Sequence, residues 1–297
     1  MSNIIVKRIL PEKTSSNVKD QLIKLAKKVK KSKGELDFQI RDDYLSIYYK
    51  GNSLAKVVIK KDGFIVRVHR NFKLKTAITN DKQKSFDPAR VREPGGGNCY
   101  DEIRLSIDPK RNELRIFFKD EIINALATKI REVNRGEEIT FEQSIITDNI
   151  DDENFIIIDR QVTGRGFPGT LDLLGLKKME SGKYRFVVLE VKLGNNHELE
   201  GDVKGQLDRY VNAIEGNFNE FKKCYEINYK QKMELGLFAD HYPHSIEIEN
   251  GVHGKILVGS YAGIAKIAIK LLKGKYPEIK DDVIEMFHKL DDKIKIA

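Results

Sequence analysis

The sequence contains little cysteine and no apolar run long enough to span a bilayer. Its two cysteines, Cys99 and Cys224, show no motif spacing, which excludes a disulfide-built scaffold and a thiolate zinc site and fits a reducing compartment. The opening residues, MSNIIVKRILPEK, lack the apolar core and cleavage site of a signal peptide. The sequence therefore predicts a cytoplasmic protein that does not contact a membrane.

The composition is that of a folded protein. Hydrophobic residues make up 40% and charged residues 33% of the chain, which excludes a disordered polymer, and 297 residues suffice for two domains with cores of their own. The net charge of +8 is compatible with a polyanionic partner such as nucleic acid, although many basic proteins bind none.

The first part of the chain has β-rich patterning after one basic helix. In SSNVKDQLIKLAKKVKKSKG, apolar residues at helical spacing are surrounded by lysines, which indicates a solvated helix packed on its domain or, less favoured, a phosphate-facing surface. Residues 35–69 alternate with period two between turn signals, which predicts an antiparallel meander. EIRLSIDPKRNELRIFFKD is predicted to form one more hairpin, with its turn at Pro109 to Asn112.

The second part alternates between helical and strand patterns. Helices are predicted at EIINALATKIREVNRG and EEITFEQSII, and three strands at NFIIIDRQV, TLDLLGLKK and YRFVVLEVKLG. A helical region from Leu199 to Glu234, broken near Gly216, the strand HGKILVGSYAG, the helix IAKIAIKLLKG and a last helix near DDVIEMFHKL follow. We expect an α/β domain with a mixed sheet flanked by helices at 119–297, preceded by a β-rich domain at 1–118 that selects the substrate or mediates dimerisation.

Charged residues interrupt one of the apolar strands. In FVVLEVKLG, Glu190 and Lys192 alternate and so project from one strand face, while Asp172 lies on the preceding strand in TLDLLG. Adjacent strands lie about 4.8 Å apart, so the two carboxylates could hold one divalent ion, for which oxygen ligands favour Mg²⁺, with Mn²⁺ as a substitute. Lys192 could then orient a water or stabilise charge on a phosphate. An isolated Glu-x-Lys is more often a buried salt bridge or a strand end in solvent.

The order GTLDLLG, VVLEVKLG and GQLDRY resembles the PD-(D/E)xK nuclease superfamily, in particular its RecB-like branch with a Gln-x-x-x-Tyr signature, over roughly residues 142 to 263. Thr170 and Leu171 precede Asp172 where that motif has proline. The resemblance implies a restriction-endonuclease-like fold and a metal site formed by Asp172, Glu190 and the backbone carbonyl of Val191. The catalytic residues that it implies are Asp172, Glu190, Lys192, Glu142 on the first helix (with Glu138 as an alternative), Gln206 and Tyr210.

The function expected from this resemblance is a Mg²⁺-dependent deoxyribonuclease, with endonuclease and exonuclease action both open. Substrate contacts are predicted at Arg160, Gln161, Arg165, Lys204 and Arg209, with ordinary loop or helix polarity as the alternative. Two other functions stay open: a catalytic subunit of a prokaryotic defence or restriction system that is silent without its partner protein, and a DNA-binding module without turnover. RNA is a less favoured substrate, and a homodimer is a further hypothesis.

Overall fold

The computed structural model describes residues 4–11, 14–42, 44–61, 63–69, 89–92, 99–133 and 136–286. Its contacts divide the chain into two compact units. The first unit comprises Met1–Lys7, Glu137–Lys230 and Ala239–Ala297, and the second comprises Arg8–Gly136 and Gln231–Phe238. Each unit is built around a β-sheet, so the chain is an α/β protein.

The second unit contains an antiparallel sheet in the order β1-β2-β3-β4-β6-β5. Helix α1 begins after the cap Ser15, whose side chain accepts a hydrogen bond from the Val18 N–H, and so satisfies a free amide of the first turn. The predicted basic helix and meander are therefore confirmed. The elements are α1 (Ser16–Lys31), β1 (Leu36–Ile40), β2 (Tyr44–Tyr49), β3 (Asn52–Lys60), β4 (Gly63–His69), β5 (Ala89–Arg92), β6 (Cys99–Ser106), α2 (Glu113–Phe117) and α3 (Asp120–Val133).

The hairpin predicted across Pro109 is wrong. Strand β6 ends at Ser106, and the residues after the turn form α2, which has buried residues at helical spacing in Leu114 and Phe117. The Glu113 carboxylate accepts a hydrogen bond from the Ser106 N–H, and Gln21 of α1 accepts one from the Leu114 N–H. Both contacts stabilise the helix, and the one from Gln21 joins residues far apart in the sequence, which the local pattern does not reveal.

Helix α3 belongs to the second unit. Its apolar residues Ile123, Leu126, Ala127 and Ile130 join the same buried cluster as α1 and the strands of that sheet. The compact units therefore change between Gly136 and Glu137, after α3, whereas the predicted domain boundary lies before α3, at residues 118 and 119.

The first unit contains a mixed sheet in the order β11-β10-β9-β8-β7. Strands β7, β8 and β9 pair antiparallel, and β10 pairs parallel with both β9 and β11. The elements are α4 (Glu137–Asp148), β7 (Phe155–Val162), β8 (Leu171–Lys178), β9 (Tyr184–Leu193), a 3₁₀ turn (His197–Glu200), α5 (Val203–Glu215), α6 (Phe218–Glu234), β10 (Ile248–Gly259), α7 (Ala262–Lys275), a second 3₁₀ turn (Pro277–Ile279) and β11 (Val283–Met286). The last residues of α6, from Gln231 onward, are counted with the second unit. The mixed sheet and the helix break near Gly216 are as predicted.

Helices cover both faces of this sheet. Gly254 and Gly259 of β10 project to opposite faces, because they are an odd number of residues apart. A Cβ at Gly254 would lie 2.8 Å from Leu207 of α5, and one at Gly259 would lie 2.3 Å from the ring of Phe141 of α4. The close approach of both helices to the sheet explains why β9, which pairs with β10, is buried along almost its whole length.

The turn between β8 and β9 is short and fixes their register. The Met179 N–H donates to the Lys183 carbonyl at 2.8 Å, and Gly182 adopts the left-handed backbone conformation with φ of 79°. Pairing then runs from Lys178 opposite Tyr184 to Leu173 opposite Leu189.

The last predicted helix is wrong where the structure describes it. Val283–Met286 forms β11, which extends the sheet by parallel pairing with Ile256–Gly259 of β10, and residues 287–290 of that prediction lie outside the described residues. Among the described residues, no helix combines the length and apolar character needed to cross a membrane.

Candidate active site

The site lies where β8 and β9 stop pairing. Beyond Leu173 and Leu189, the Asp172 side chain takes the place of a strand partner, since its Oδ2 accepts the Val191 N–H at 2.9 Å. Asp172 is thereby held beside Glu190 and Lys192 of the next strand. The structure thus brings together the three residues of the sequence motif.

Lys192 is held between two carboxylates. Its Nζ lies 2.9 Å from Glu190 Oε1 and 2.7 Å from Oε2 of Glu198, in the 3₁₀ turn that follows β9. Burial alone would lower the pKa of Lys192, but Glu190 and Glu198 outweigh it and raise that pKa, and the same contact lowers the pKa of Glu198. Lys192 is therefore a cation here, suited to balancing negative charge rather than to accepting a proton.

The salt bridge between Glu190 and Lys192 leaves part of the acidic charge unbalanced. Glu190 is only 3% exposed, and its Oε2 is buried without a hydrogen-bond partner. Burial raises the pKa of Glu190, against the opposing effect of Lys192. Burial, with the charges of Glu190 and Glu142, raises the pKa of the partly buried Asp172 well above its ordinary value. These carboxylates destabilise one another when ionised, so a cation between them would be favourable.

Glu142 of α4 reaches the cluster through a buried network. Arg160 of β7 is fully buried, with Nη2 2.9 Å from Glu142 Oε2 and Nη1 donating to Gln143 at 2.6 Å. Gln161 donates to both Glu142 oxygens at 3.1 and 3.2 Å, and has a φ of 49°, which is uncommon for a residue with a side chain. Burial raises the pKa of Glu142, and Arg160 opposes that rise.

Glu138, one helical turn before Glu142, also faces the cluster. Its charge contributes to the raised pKa of both Glu142 and Glu190, and Asn196 Nδ2 lies 3.5 Å from its carboxylate. Glu142 is tied to a buried arginine, whereas Glu138 is only partly buried. Both alternatives from the sequence therefore lie near the site, in different environments.

Gln206 and Tyr210 of α5 face the same region. The Tyr210 hydroxyl donates to the Thr170 carbonyl at 3.0 Å, and its ring stacks on Phe167 at 5.6 Å with an interplanar angle of 2°. Burial, followed by the charges of Glu190 and Asp172, raises the pKa of Tyr210. Gln206 contributes a hydrogen bond that lowers the pKa of Glu198. Tyr210 thus fixes the loop that leads into Asp172, and Gln206 supports the carboxylate that holds Lys192.

The predicted substrate residues lie in different environments. Arg160 has no exposed surface and is committed to Glu142 and Gln143, so this conformation gives it a positioning role rather than a substrate contact. Arg165 is exposed in the loop before β8, and Arg209 is exposed on α5. Lys204 pairs with Asp208 one helical turn away. Substrate contact stays a prediction for Gln161, Arg165, Lys204 and Arg209.

Sequence reasoning missed Glu198. The signal for it is in NNHELE: the Asn196 side chain accepts the Glu198 N–H at 3.0 Å and begins the 3₁₀ turn, which returns the Glu198 carboxylate to Lys192. A capping asparagine shortly after a charged strand end places the next residues beside that end. The sequence alone predicts a turn at Asn195, Asn196 and His197, with substrate contact by these residues as the less favoured alternative.

The donor set fits a hard divalent cation. Among the described residues, no three His, Cys, Asp or Glu side chains form a ready-made metal site. Mg²⁺, however, commonly takes one or two carboxylates and retains water. The unpartnered Oε2 of Glu190 and the raised pKa of Asp172 are what such a pair is expected to show without the cation.

Comparisons with known proteins give no further indication of a function. No family model matches the chain. Searches of curated proteins and of solved structures find no match either. The functional argument therefore depends on the residues of this site.

Proposed function

We propose that the chain is a metal-dependent nuclease that hydrolyses phosphodiester bonds of DNA, with a restriction-endonuclease-like first unit. The observation that carries this proposal is the buried cluster of Asp172, Glu190 and Lys192, where two strands separate. The mixed sheet, with this cluster on its antiparallel part and Gln206 and Tyr210 on the following helix, supports the resemblance to the PD-(D/E)xK superfamily.

The electrostatics favour a cation-dependent site. A purely structural Glu190–Lys192 pair would need neither Asp172 nor Glu142 beside it, because each of them adds a desolvated carboxylate to the cluster. The charges of Glu190 and Glu142 add to the effect of burial and raise the pKa of Asp172. Asp172, Glu190 and the Val191 carbonyl would hold Mg²⁺ or Mn²⁺, and Glu142 would hold its water shell. When bound, that ion would polarise a phosphate oxygen and lower the pKa of a water.

The chain's own groups would do the remaining work. Lys192, kept cationic by Glu190 and Glu198, would orient the attacking water and balance the negative charge that develops on the attacked phosphate. Tyr210 would keep the loop before Asp172 in place, and Gln206 would keep Glu198 directed at Lys192. Arg160 would keep Glu142 ionised and directed at the cluster.

The test is cleavage by the purified full chain. Supercoiled, linear and single-stranded DNA are incubated with Mg²⁺, Mn²⁺ or EDTA, beside Asp172→Asn and Lys192→Met, which keep side-chain size. Lys183→Met is the matched control, because it removes an exposed lysine from the turn between β8 and β9. This lysine pairs with Glu247, which precedes β10. We expect metal-dependent cleavage that the control retains and both site variants lose.

The other outcomes separate the alternative functions. Cleavage that persists in Asp172→Asn and Lys192→Met would place the activity elsewhere and refute the proposal. Salt-dependent DNA binding without cleavage in either metal would favour a binding module, or a subunit that needs its partner protein.

A further inference from the structure

Helix α7 carries an exposed apolar surface. Among the residues that the structure describes, six large apolar side chains are exposed, and four of them belong to α7 or its N-terminal cap: Tyr261, Ile264, Ile267 and Leu271. Ile264, Ile267 and Leu271 are 59%, 67% and 58% exposed. Single exposed apolar side chains are common on protein surfaces, whereas several on one helix indicate a surface that binds a partner.

The three aliphatic residues form one stripe, the outer ridge of α7. They are spaced three and four residues apart, so they lie on one side of the helix over about 10 Å. A different stripe is buried and holds α7 on the first unit, and it consists of Ala265, Ala268, Ile269 and Leu272. The packing of α7 therefore does not use the outer ridge. The ridge is already in place for a partner, which limits the conformational entropy lost on binding.

Two lysines border the outer ridge. Lys266 and Lys270 are exposed and lie one helical turn apart, beside Ile267. Within the described part of the chain, neither of them forms a hydrogen bond or a salt bridge. Lys273, in contrast, pairs with Glu285 at 2.8 Å. Lys266 and Lys270 therefore offer unpaired positive charge beside an apolar surface.

A second copy of the chain does not supply the matching charge on the same helix. The residues of α7 include no aspartate or glutamate, so α7 packed against α7 would bring lysines near lysines. A stable dimer interface also takes roughly 20–30 residues from each partner, whereas the outer ridge is a stripe on one helix. A smaller, acidic partner is the better match.

We propose that the outer ridge and its two lysines bind an acidic amphipathic helix of a partner protein. Apolar side chains of that helix pack on Ile264, Ile267 and Leu271, and carboxylates along one of its edges pair with Lys266 and Lys270. An anionic lipid surface is a poorer match, because it would favour lysines on both borders of the ridge. Here Lys266 and Lys270 lie on one border, and the other border leads into the buried stripe. This binding requires neither Mg²⁺ nor catalysis.

The apolar contact is tested with a designed peptide in place of the partner helix. The probe is a labelled amphipathic peptide of roughly 18 residues, long enough to form a helix, with a stripe of leucines and with glutamates along one edge. Fluorescence anisotropy with the full chain should show a loss of roughly tenfold in affinity for Ile267→Ser and for Leu271→Ser, because each removes one aliphatic side chain from the contact. Ile150→Ser is the matched control, since Ile150 is 45% exposed in the same unit but lies outside α7.

The charge contribution is tested by reversal. A second peptide has lysines in place of the glutamates and should bind the wild type more weakly. Lys266→Glu combined with Lys270→Glu should reverse this preference, and added salt should weaken binding of the acidic peptide to the wild type. Lys223→Glu combined with Lys230→Glu is the matched control, because it changes the net charge equally at exposed lysines of α6 and should keep the preference for the acidic peptide.

Several results would overturn the proposal. One is that the acidic peptide fails to bind at roughly 1 mM, or binds Ile267→Ser and Leu271→Ser as tightly as the wild type. Another is that reversing the two lysines leaves the preference unchanged. Self-association in sedimentation equilibrium that Ile267→Ser abolishes would assign the ridge to a second copy. Tighter binding to vesicles of equimolar phosphatidylcholine and phosphatidylserine than to the peptide, lost in Ile267→Ser, would assign it to a lipid surface.

Two further measurements isolate this surface from other effects. The substituted side chains are exposed, so circular dichroism melting of the variants should match that of the wild type, and serines at two different turns keep the test decisive if one variant fails to fold. Asp172→Asn should bind the acidic peptide like the wild type. Peptide binding and DNA cleavage can therefore succeed or fail independently.

Discussion

The buried pair of Arg160 and Glu142 gives a prediction whose size and pH dependence both follow from the structure. Arg160→Met keeps an unbranched side chain in the site but leaves the Glu142 carboxylate, which is 2% exposed, without its cation. Removing one partner of a buried ion pair costs about 3–5 kcal/mol. At about 2–4 °C per kcal/mol, the melting temperature of the first unit should fall by about 6–20 °C at pH 8.

The pH dependence is a sharper test than the size. Burial already raises the pKa of Glu142 in the folded protein, and Arg160 opposes that rise. Without Arg160 the pKa rises further, so the variant is penalised wherever Glu142 must be ionised and is relieved where it binds a proton. When the pKa of a carboxyl group is higher in the folded than in the unfolded protein, the free energy of unfolding decreases as the pH rises and the group ionises. The deficit relative to the wild type should therefore be larger at pH 8 than at pH 5.

The measurement is thermal unfolding of both proteins at the two pH values in EDTA. Arg160→Met combined with Glu142→Gln removes the charge and should recover part of the loss at pH 8, although Gln143 still lacks its donor. Lys183→Met, which removes an exposed pair, should hardly change the melting temperature. A deficit that is equal at pH 5 and pH 8 would refute the argument that a buried carboxylate is responsible.

Three further predictions concern the same site. Asp172→Asn should raise the melting temperature in EDTA at pH 8, because the raised pKa of Asp172 makes its ionised form destabilising and asparagine can still accept the Val191 N–H. In the same thermal assay we expect Mg²⁺ to stabilise the wild type but not this variant. Tyr210→Phe loses the hydrogen bond to the Thr170 carbonyl and should cost about 1 kcal/mol in denaturant unfolding, with a larger proportional loss of cleavage; an unchanged cleavage rate would exclude the positioning role. Gly169→Ala should destabilise by about 1–3 kcal/mol, since φ is +126° and the new Cβ would lie 3.0 Å from the Tyr210 hydroxyl; wild-type stability would contradict this.

The sequence predicted those features that depend on local periodicity. The alternation in FVVLEVKLG places Glu190 and Lys192 on one strand face, and the order of apolar strands and helices predicts the mixed sheet that the structure shows. The proximity of Asp172 follows from the short turn that joins its strand to the next. These inferences need only strand geometry and a tight connection.

Features that depend on distant partners were not predictable. Arg160 has the residue type of a surface substrate contact, and only the folded structure shows that it is buried against Glu142 and Gln143. Residues 113–117 could have formed a strand, but Gln21, ninety-three positions before Leu114, caps the helix that they form. Local patterns carry no information about such partners, because tertiary contacts override weak intrinsic preferences.

The turn from Met179 to Lys183 lies about 20 Å along β8 from Asp172, at roughly 3.3 Å per residue, and is therefore remote from the site carboxylates of Asp172 and Glu190. It nevertheless determines whether those groups meet. A slip of one residue in β8 against β9 would send the Asp172 carboxylate to the opposite side of the sheet from Glu190. The five-residue loop thus aligns the carboxylates of the candidate site, and its length is constrained by which side chains must meet at the far end of the hairpin.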